Sequence, residues 1–176
     1  MSLQSGCDET LKRMNRRYTT KEFENSVKLL RREFPEVALT TDIIVGFPGE
    51  TEEEFNKTYE FLENIQFYKM HIFKYSKRKG TKAALMPNQV DGNIKEIRSR
   101  KLIELSDKNE QEFNKKYMGK KVEILFEEEH SENGIRYVKG HTKNYMVAKT
   151  QTQEELENQM RIMEVEGIDG LELIVK

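Results

Sequence analysis

Residues 40–55, "TTDIIVGFPGETEEEF", set the fold class. The apolar run Ile43, Ile44, Val45 stops at Gly46, and a short Gly/Pro loop follows. Thr51 and Glu54 then stand at capping-box spacing, which opens a helix. The phrase reads as a strand, a tight turn and a helix. The strand is predicted over residues 38–45; its lack of clean alternation suits burial on both faces, as in a parallel sheet. Phe55, Tyr59 and Leu62 line one face of the helix.

The same unit repeats on either side. Residues 3–5 read as the tail of a strand, followed by a short helix over 8–14. Thr19 and Glu22 form a second capping box, and Phe23, Val27, Leu30 and Phe34 continue at helical spacing up to Pro35. A third strand is predicted over 68–75. Alternating strands and helices with right-handed crossovers give an α/β class. A polar loop, "SKRKGTKAALMPNQV", leads into one long charged helix over 91–118. Leu102, Leu105, Phe113 and Tyr117 form its packing face, interrupted by Asn109. After Gly119 the period falls towards two. "KKVEILFEE", "HSENGIRYVKGH" with its Asn133–Gly134 hairpin signal, "NYMVAKT", "MRIMEVEG" and "LELIVK" make about five short strands. A small closed or nearly closed β-barrel is the natural solution. Two domains are expected, 1–118 and 119–176.

Composition excludes several classes. The 176 residues are 35% charged and 36% hydrophobic, which suits a globular chain. No apolar run reaches membrane-spanning length and no targeting segment is visible, so a cytoplasmic protein without membrane contact is expected. The one cysteine, Cys7, cannot build a disulfide framework or ligate a cluster unaided. Net charge is −1 but uneven. Residues 1–119 carry 22 basic against 19 acidic groups and the rest 8 against 12, so any nucleic-acid contact must be local.

Candidate binding residues gather at strand ends, where α/β sheets hold ligands. Gly46 to Glu50 offers close backbone approach and exposed amides; a plain βα connection, with Glu50 supporting the helix N-terminus, is the alternative. The turn is neither a P-loop nor a dinucleotide fingerprint. Gln4 and Ser5 sit in a matching turn, where Ser5 can equally be a loop or cap residue. Lys12, Arg13, Arg16 and Arg17 follow the first turn; Lys77, Arg78, Lys79 and Lys82 follow the third strand. They suit phosphate or carboxylate, or simply a solvated face. In the barrel, Lys139, His141, Lys143 and Tyr145 combine charge with a stacking surface for RNA; a structural loop is the alternative. His71 is expected to be packed within its strand and His130 exposed. No nucleophile triad, carboxylate pair or metal set is evident, so no catalytic residue is assigned.

"SLQSGCDETLKRMNRRYTTKEF", "TTDIIVGFPGETEEEF" and "FKYSKRKGTKAALMPNQV" resemble the radical-SAM methylthiotransferases of tRNA and ribosomal protein. The Cys after "LQSG" and the "RRYT" phrase most resemble the subgroup acting on threonylcarbamoyladenosine-37 of tRNA. Residues from 119 onward are similar to the TRAM domain, a small RNA-associated β-barrel. The resemblance implies the C-terminal portion of a partial (β/α) radical-SAM barrel followed by TRAM. It implies methylthio insertion at C2 of the modified adenosine, with the isopentenyladenosine and ribosomal-protein subgroups as alternatives. In such enzymes one S-adenosylmethionine is cleaved to a deoxyadenosyl radical and another supplies the methyl group, with two [4Fe–4S] clusters on two cysteine sets. Neither set is present here, so the chain resembles a C-terminal fragment, without a cluster and inactive alone. Carried over by position, Gln4, Ser5, Ile44, Gly46, Glu50 and Arg78 are expected near S-adenosylmethionine, with Arg13 or Arg16 on its carboxylate. Lys139, His141, Lys143 and Tyr145 are expected on the anticodon stem-loop. An RNA-binding module, or an interaction fragment self-associating through an exposed edge at residues 3–5, is the alternative to an enzyme.

Overall fold

A computed structural model describes residues 1–132 and 134–176. The Asn133 half of the Asn133–Gly134 hairpin signal lies outside the described residues. The elements are helices α1 (Asp8–Arg13) and α2 (Thr20–Glu33), strand β1 (Thr40–Val45), helix α3 (Glu52–Ile65), strand β2 (Lys69–Lys74), helices α4 (Lys82–Leu85) and α5 (Gly92–Lys115), and strands β3 (Lys121–Glu132), β4 (Ile135–Thr142), β5 (Val147–Gln151), β6 (Met160–Asp169) and β7 (Glu172–Val175). The chain forms two compact units, Met1–Asn109 and Glu110–Lys176. The division falls inside α5 rather than at Gly119. The last helical turn is tied to the strands, with Asn114 Nδ2 donating to Leu171 O at 2.9 Å. No helix among the described residues is long and apolar enough to cross a membrane.

In the first unit β1 and β2 pair in parallel from Thr40 beside Lys69 to Val45 beside Lys74. Gln4 joins the other edge of β1 as a single parallel bridge. Its amide donates to Asp42 O at 2.8 Å, and Ile44 N donates to Gln4 O at 2.9 Å. Both expected capping boxes form, at Thr19/Glu22 and Thr51/Glu54. Each supplies acceptors to helix-end amides that otherwise lack partners. Gln66 closes α3 in the left-handed region, its amide donating to Leu62 O.

One apolar cluster, including Leu3, Val27, Ile43, Phe55, Leu62, Phe67 and Leu102, fills this unit. Burying each such side chain contributes about 1.5–3 kcal/mol. Three sequence expectations need correction. Phe34 is exposed, because α2 ends at Glu33 and the next residue leaves the helical stripe. β1 is buried on one face only: Thr41, Ile43 and Val45 are covered, while Asp42 and Ile44 are half-buried. His71 on β2 is exposed rather than packed, since its register partner is Asp42 on that same open face.

Nor do residues 3–5 present an open edge. Leu3, Gln4 and Ser5 are all buried. The Tyr18 hydroxyl reaches Leu3 O at 2.9 Å and Ser2 O at 3.0 Å, occupying carbonyls that a further strand would need.

In the second unit β3-β4-β5-β7-β6 close into a five-stranded barrel. Val122, Ile124 and Phe126 are buried as their alternation requires, as are Val138, Ala148, Val165 and Leu173 on the other strands. A bulge between Phe126 and Glu128 turns β3 opposite Gly140.

Candidate functional site

The open face of β1 and β2 is a cavity of about 500 Å³. Its lining includes Gln4, Asp42, Ile44, Phe47, Phe73, Lys74, Tyr75 and Arg78. Strand geometry explains the set. Ile44 and Phe73 stand side by side in register, and Asp42 lies two residues before Ile44 on the same face. Gln4 adopts φ +72, unusual for a residue with a side chain. Such conformations concentrate at ligand sites. Phe47 packs edge-on against Tyr75 at 5.3 Å, which fixes the wall between the two strand ends.

Of the sequence candidates, Gln4, Ile44 and Arg78 therefore meet at one hollow. Of the others, Ser5, Gly46, Glu50 and Arg13 are engaged within the protein. Ser5 Oγ lies 3.2 Å from Thr58 Oγ1 and accepts from Cys7 N, so it is spent on packing the first turn. The Gly46 amide donates to Glu50 Oε1 at 3.0 Å, so its hydrogen is used within the turn. Glu50 is buried against Arg98, whose Nη1 lies 2.7 Å from the same oxygen. Burial pushes the Glu50 carboxyl above its usual range, against the pull of the Gly46 amide and of Arg98. Arg13 makes a two-pronged bond to Glu54, at 2.8 and 2.5 Å, and its Nε reaches Pro48 O at 3.3 Å. A guanidinium so engaged is not offered to a ligand carboxylate. Arg16 is exposed and outside the cavity lining.

Two residues of α5 escaped the sequence reading. Arg98 clasps Glu50 and Glu52, and Lys95 donates from Nζ to Tyr75 O at 3.1 Å while its stem crosses Gly46. The signal was present: stepping one turn back from Leu102 lands on Arg98. A charge at a core position asks for a buried partner.

A second hollow, about 260 Å³, lies on the barrel and includes Leu125, His141, Lys143, Tyr145 and Met160 in its lining. Tyr145 is 81% exposed, with its ring centroid 6.3 Å from that of His141. His141 Nδ1 is bonded to Glu127, and Lys143 Nζ lies 2.5 Å from Glu123. Lys139 is directed elsewhere, to Glu172 at 2.7 Å. It joins the cluster around buried Lys149, which also contacts Asp169 and Glu132. Burial lowers the Lys149 pKa, but its carboxylate neighbours outweigh that and push it above its ordinary value.

The cavity combines apolar and polar groups in one lining. It offers apolar surface at Ile44, Phe47 and Phe73, an amide at Gln4, a carboxylate at Asp42 and cations at Arg78 and Lys74, the last paired with Glu96. The Tyr75 hydroxyl is buried without a partner, a polar atom left over in its wall. An iron–sulfur cluster does not fit the chain's residues. The single thiol, Cys7, is buried and donates to Glu9 at 2.9 Å, and burial pushes its pKa up. Among the described residues no three His, Cys, Asp or Glu are grouped to hold a metal ion.

Residues 1–62 match the Radical SAM superfamily. The chain is 46% identical over 146 residues to the threonylcarbamoyladenosine tRNA methylthiotransferase of Bacillus subtilis, covering 82% of this chain and 32% of that protein. It is 45% identical over 127 residues to the tRNA-2-methylthio-N(6)-dimethylallyladenosine synthase of Acetivibrio thermocellus, covering 72% and 26%. The synthase of the same name from Clostridium tetani is 44% identical over 142 residues, covering 81% and 31%. The chain spans about a quarter to a third of the length of these relatives.

Proposed function

This chain is kin, over the quarter to third of their length that it spans, to the radical-SAM tRNA methylthiotransferases, and on that premise we propose that it is the S-adenosylmethionine- and tRNA-facing part of such an enzyme. The observation that carries the reading is the meeting of Gln4, Ile44 and Arg78 at one cavity beyond the ends of parallel strands. The first unit is then part of a partial (β/α) radical-SAM barrel and the second a TRAM-like barrel. The reaction is methylthiolation at C2 of threonylcarbamoyladenosine-37 in the anticodon stem-loop, in the cytoplasm.

S-adenosylmethionine, when bound, supplies radical-initiating and methyl-donating chemistry. The chain's own part is to bind and orient. Ile44, Phe47 and Phe73 cover apolar surface, Gln4 offers hydrogen bonds, and Arg78 faces an anionic group. Arg13 and Glu50 hold the turns that carry these groups. On the barrel, Tyr145 offers a stacking face beside His141 and Lys143. With one cysteine the 176 residues cannot ligate two clusters, so the chain alone is expected to be inactive after reconstitution with iron and sulfide. Sustained deoxyadenosine release from it would contradict this.

The dimethylallyladenosine subgroup is the second reading, favoured by the near-equal identity to its members. Deleting the encoding gene and weighing the tRNA nucleosides decides. Loss of the methylthio group from threonylcarbamoyladenosine supports the first reading, and loss from dimethylallyladenosine the second. Unchanged nucleosides overturn both.

A further inference from the structure

We propose that Arg98, which is not among the residues lining the cavity, is its positioning residue: through Glu50 it locks the Gly46–Glu50 turn and thereby sets the wall that Phe47 forms. The contacts make a chain from helix to cavity. Arg98 Nη1 donates to Glu50 Oε1 at 2.7 Å and to Glu50 O at 3.2 Å. Its Nη2 donates to Glu52 at 3.1 Å, so one guanidinium holds both the turn and the start of α3. The same Glu50 oxygen accepts the Gly46 amide. Phe47 follows Gly46 and is the first residue of this turn whose side chain lines the cavity. Both partners of the pair are about 95% buried, with side-chain exposures of 5% and 4%.

Stability alone is a poor reason for such a pair. Desolvating two charges costs about as much as their attraction returns, and apolar replacements of similar volume are often neutral or better. What Met or Leu cannot do is accept the Gly46 amide. The ion pair therefore specifies a geometry that an apolar contact would leave loose. Arg98 is also fixed from its other side, with its guanidinium carbon 5.3 Å from the Phe55 ring centre. The helical spacing marks Arg98 as a core position but does not name its partner, which lies 48 residues away.

Structural and positioning roles separate in a double variant. Wild type, R98M, R98K and R98M/E50M are compared by thermal midpoint, by hydrogen exchange of the Gly46 amide, and by affinity for S-adenosylhomocysteine. R98M leaves a buried carboxylate unpaired and is expected to lower the midpoint. R98M/E50M removes both charges and recovers most of it. Gly46 exchange is expected to rise at least about tenfold in the double variant, because the acceptor is gone. Affinity is expected to fall about tenfold in the double variant despite its recovered midpoint. R98K, which keeps the positive charge without the fork of Arg98, is expected to lie between. Gly46 protection that persists in the double variant, or affinity that recovers along with the midpoint, overturns the proposal. The affinity arm rests on the reading of the cavity as an S-adenosylmethionine site. If wild type does not bind the probe, that reading fails, while Gly46 exchange still judges the lock. If R98M does not fold, the double variant and R98K carry the test.

Discussion

The stem of Lys95 lies across Gly46 so closely that a Cβ built on Gly46 would come within 2.3 Å of Lys95 Cγ. The lysine cannot simply swing aside. Its Nζ is tied to Tyr75 O, and the ammonium stands 5.4 Å from the Tyr75 ring centre. Gly46 also has φ +70, where a side chain is strained. G46A is expected to cost about 2–3 kcal/mol in urea unfolding. Adding K95A should recover the steric part and leave the backbone part. A G46A midpoint equal to wild type would contradict this account of the turn.

The Arg13–Glu54 pair predicts an acid limb. Burial tends to raise the Glu54 pKa, but the Arg13 bonds and the Thr51 amide outweigh it and hold the carboxyl below its ordinary value. A depressed folded pKa gives stability that is present above the unfolded value and is lost as pH falls through the folded one. R13M is expected to cost about 1–2 kcal/mol at pH 7. It should also flatten the loss of stability on the acid side of the ordinary carboxylate range. A limb of unchanged steepness in R13M would assign the acid sensitivity to other groups.

Ligand affinity should separate the arginines. Arg78 lines the cavity, whereas Arg16 is exposed and outside it. R78M is expected to weaken S-adenosylhomocysteine binding about tenfold, or about 1.4 kcal/mol. R16M should leave it unchanged. Calorimetry on the two variants checks the assignment, and equal losses would refute it.

On the barrel, Y145A is expected to remove about 1–3 kcal/mol from binding of anticodon stem-loop RNA, the worth of one stacked base. K139M should change it little, because Lys139 is held by Glu172. Titrations at two salt concentrations give the check. A larger effect from K139M than from Y145A would move the RNA to another face.

Gly140 tests the barrel itself. A Cβ there would lie 2.0 Å from Leu125 O, a backbone atom that has no room to yield. G140A is expected to cost at least about 3 kcal/mol, seen as an early barrel transition on heating. An unchanged transition would mean that the bulge opposite Gly140 can shift freely.

The strand–turn–helix order, both capping boxes and the barrel's inward residues were legible because each is local. Thr51 and Glu54, or Val122, Ile124 and Phe126, declare themselves within one turn or one strand. Gln4, Ile44 and Arg78 were legible as strand-end residues, since parallel topology brings those ends to one side. The family likeness of residues 1–62 also lies in the linear phrases.

Which side chains face the cavity and which are engaged within the protein was decided only by tertiary structure. Arg13 and Arg78 are alike in sequence, yet Glu54, 41 positions away, takes the first and leaves the second at the cavity. Arg98 and Lys95 look like surface charges on a charged helix until packing brings them to Glu50 and Gly46. The physical reason is range: periodicity reports a residue's face on its own element, but an ion pair's partner and its burial depend on what the fold sets opposite.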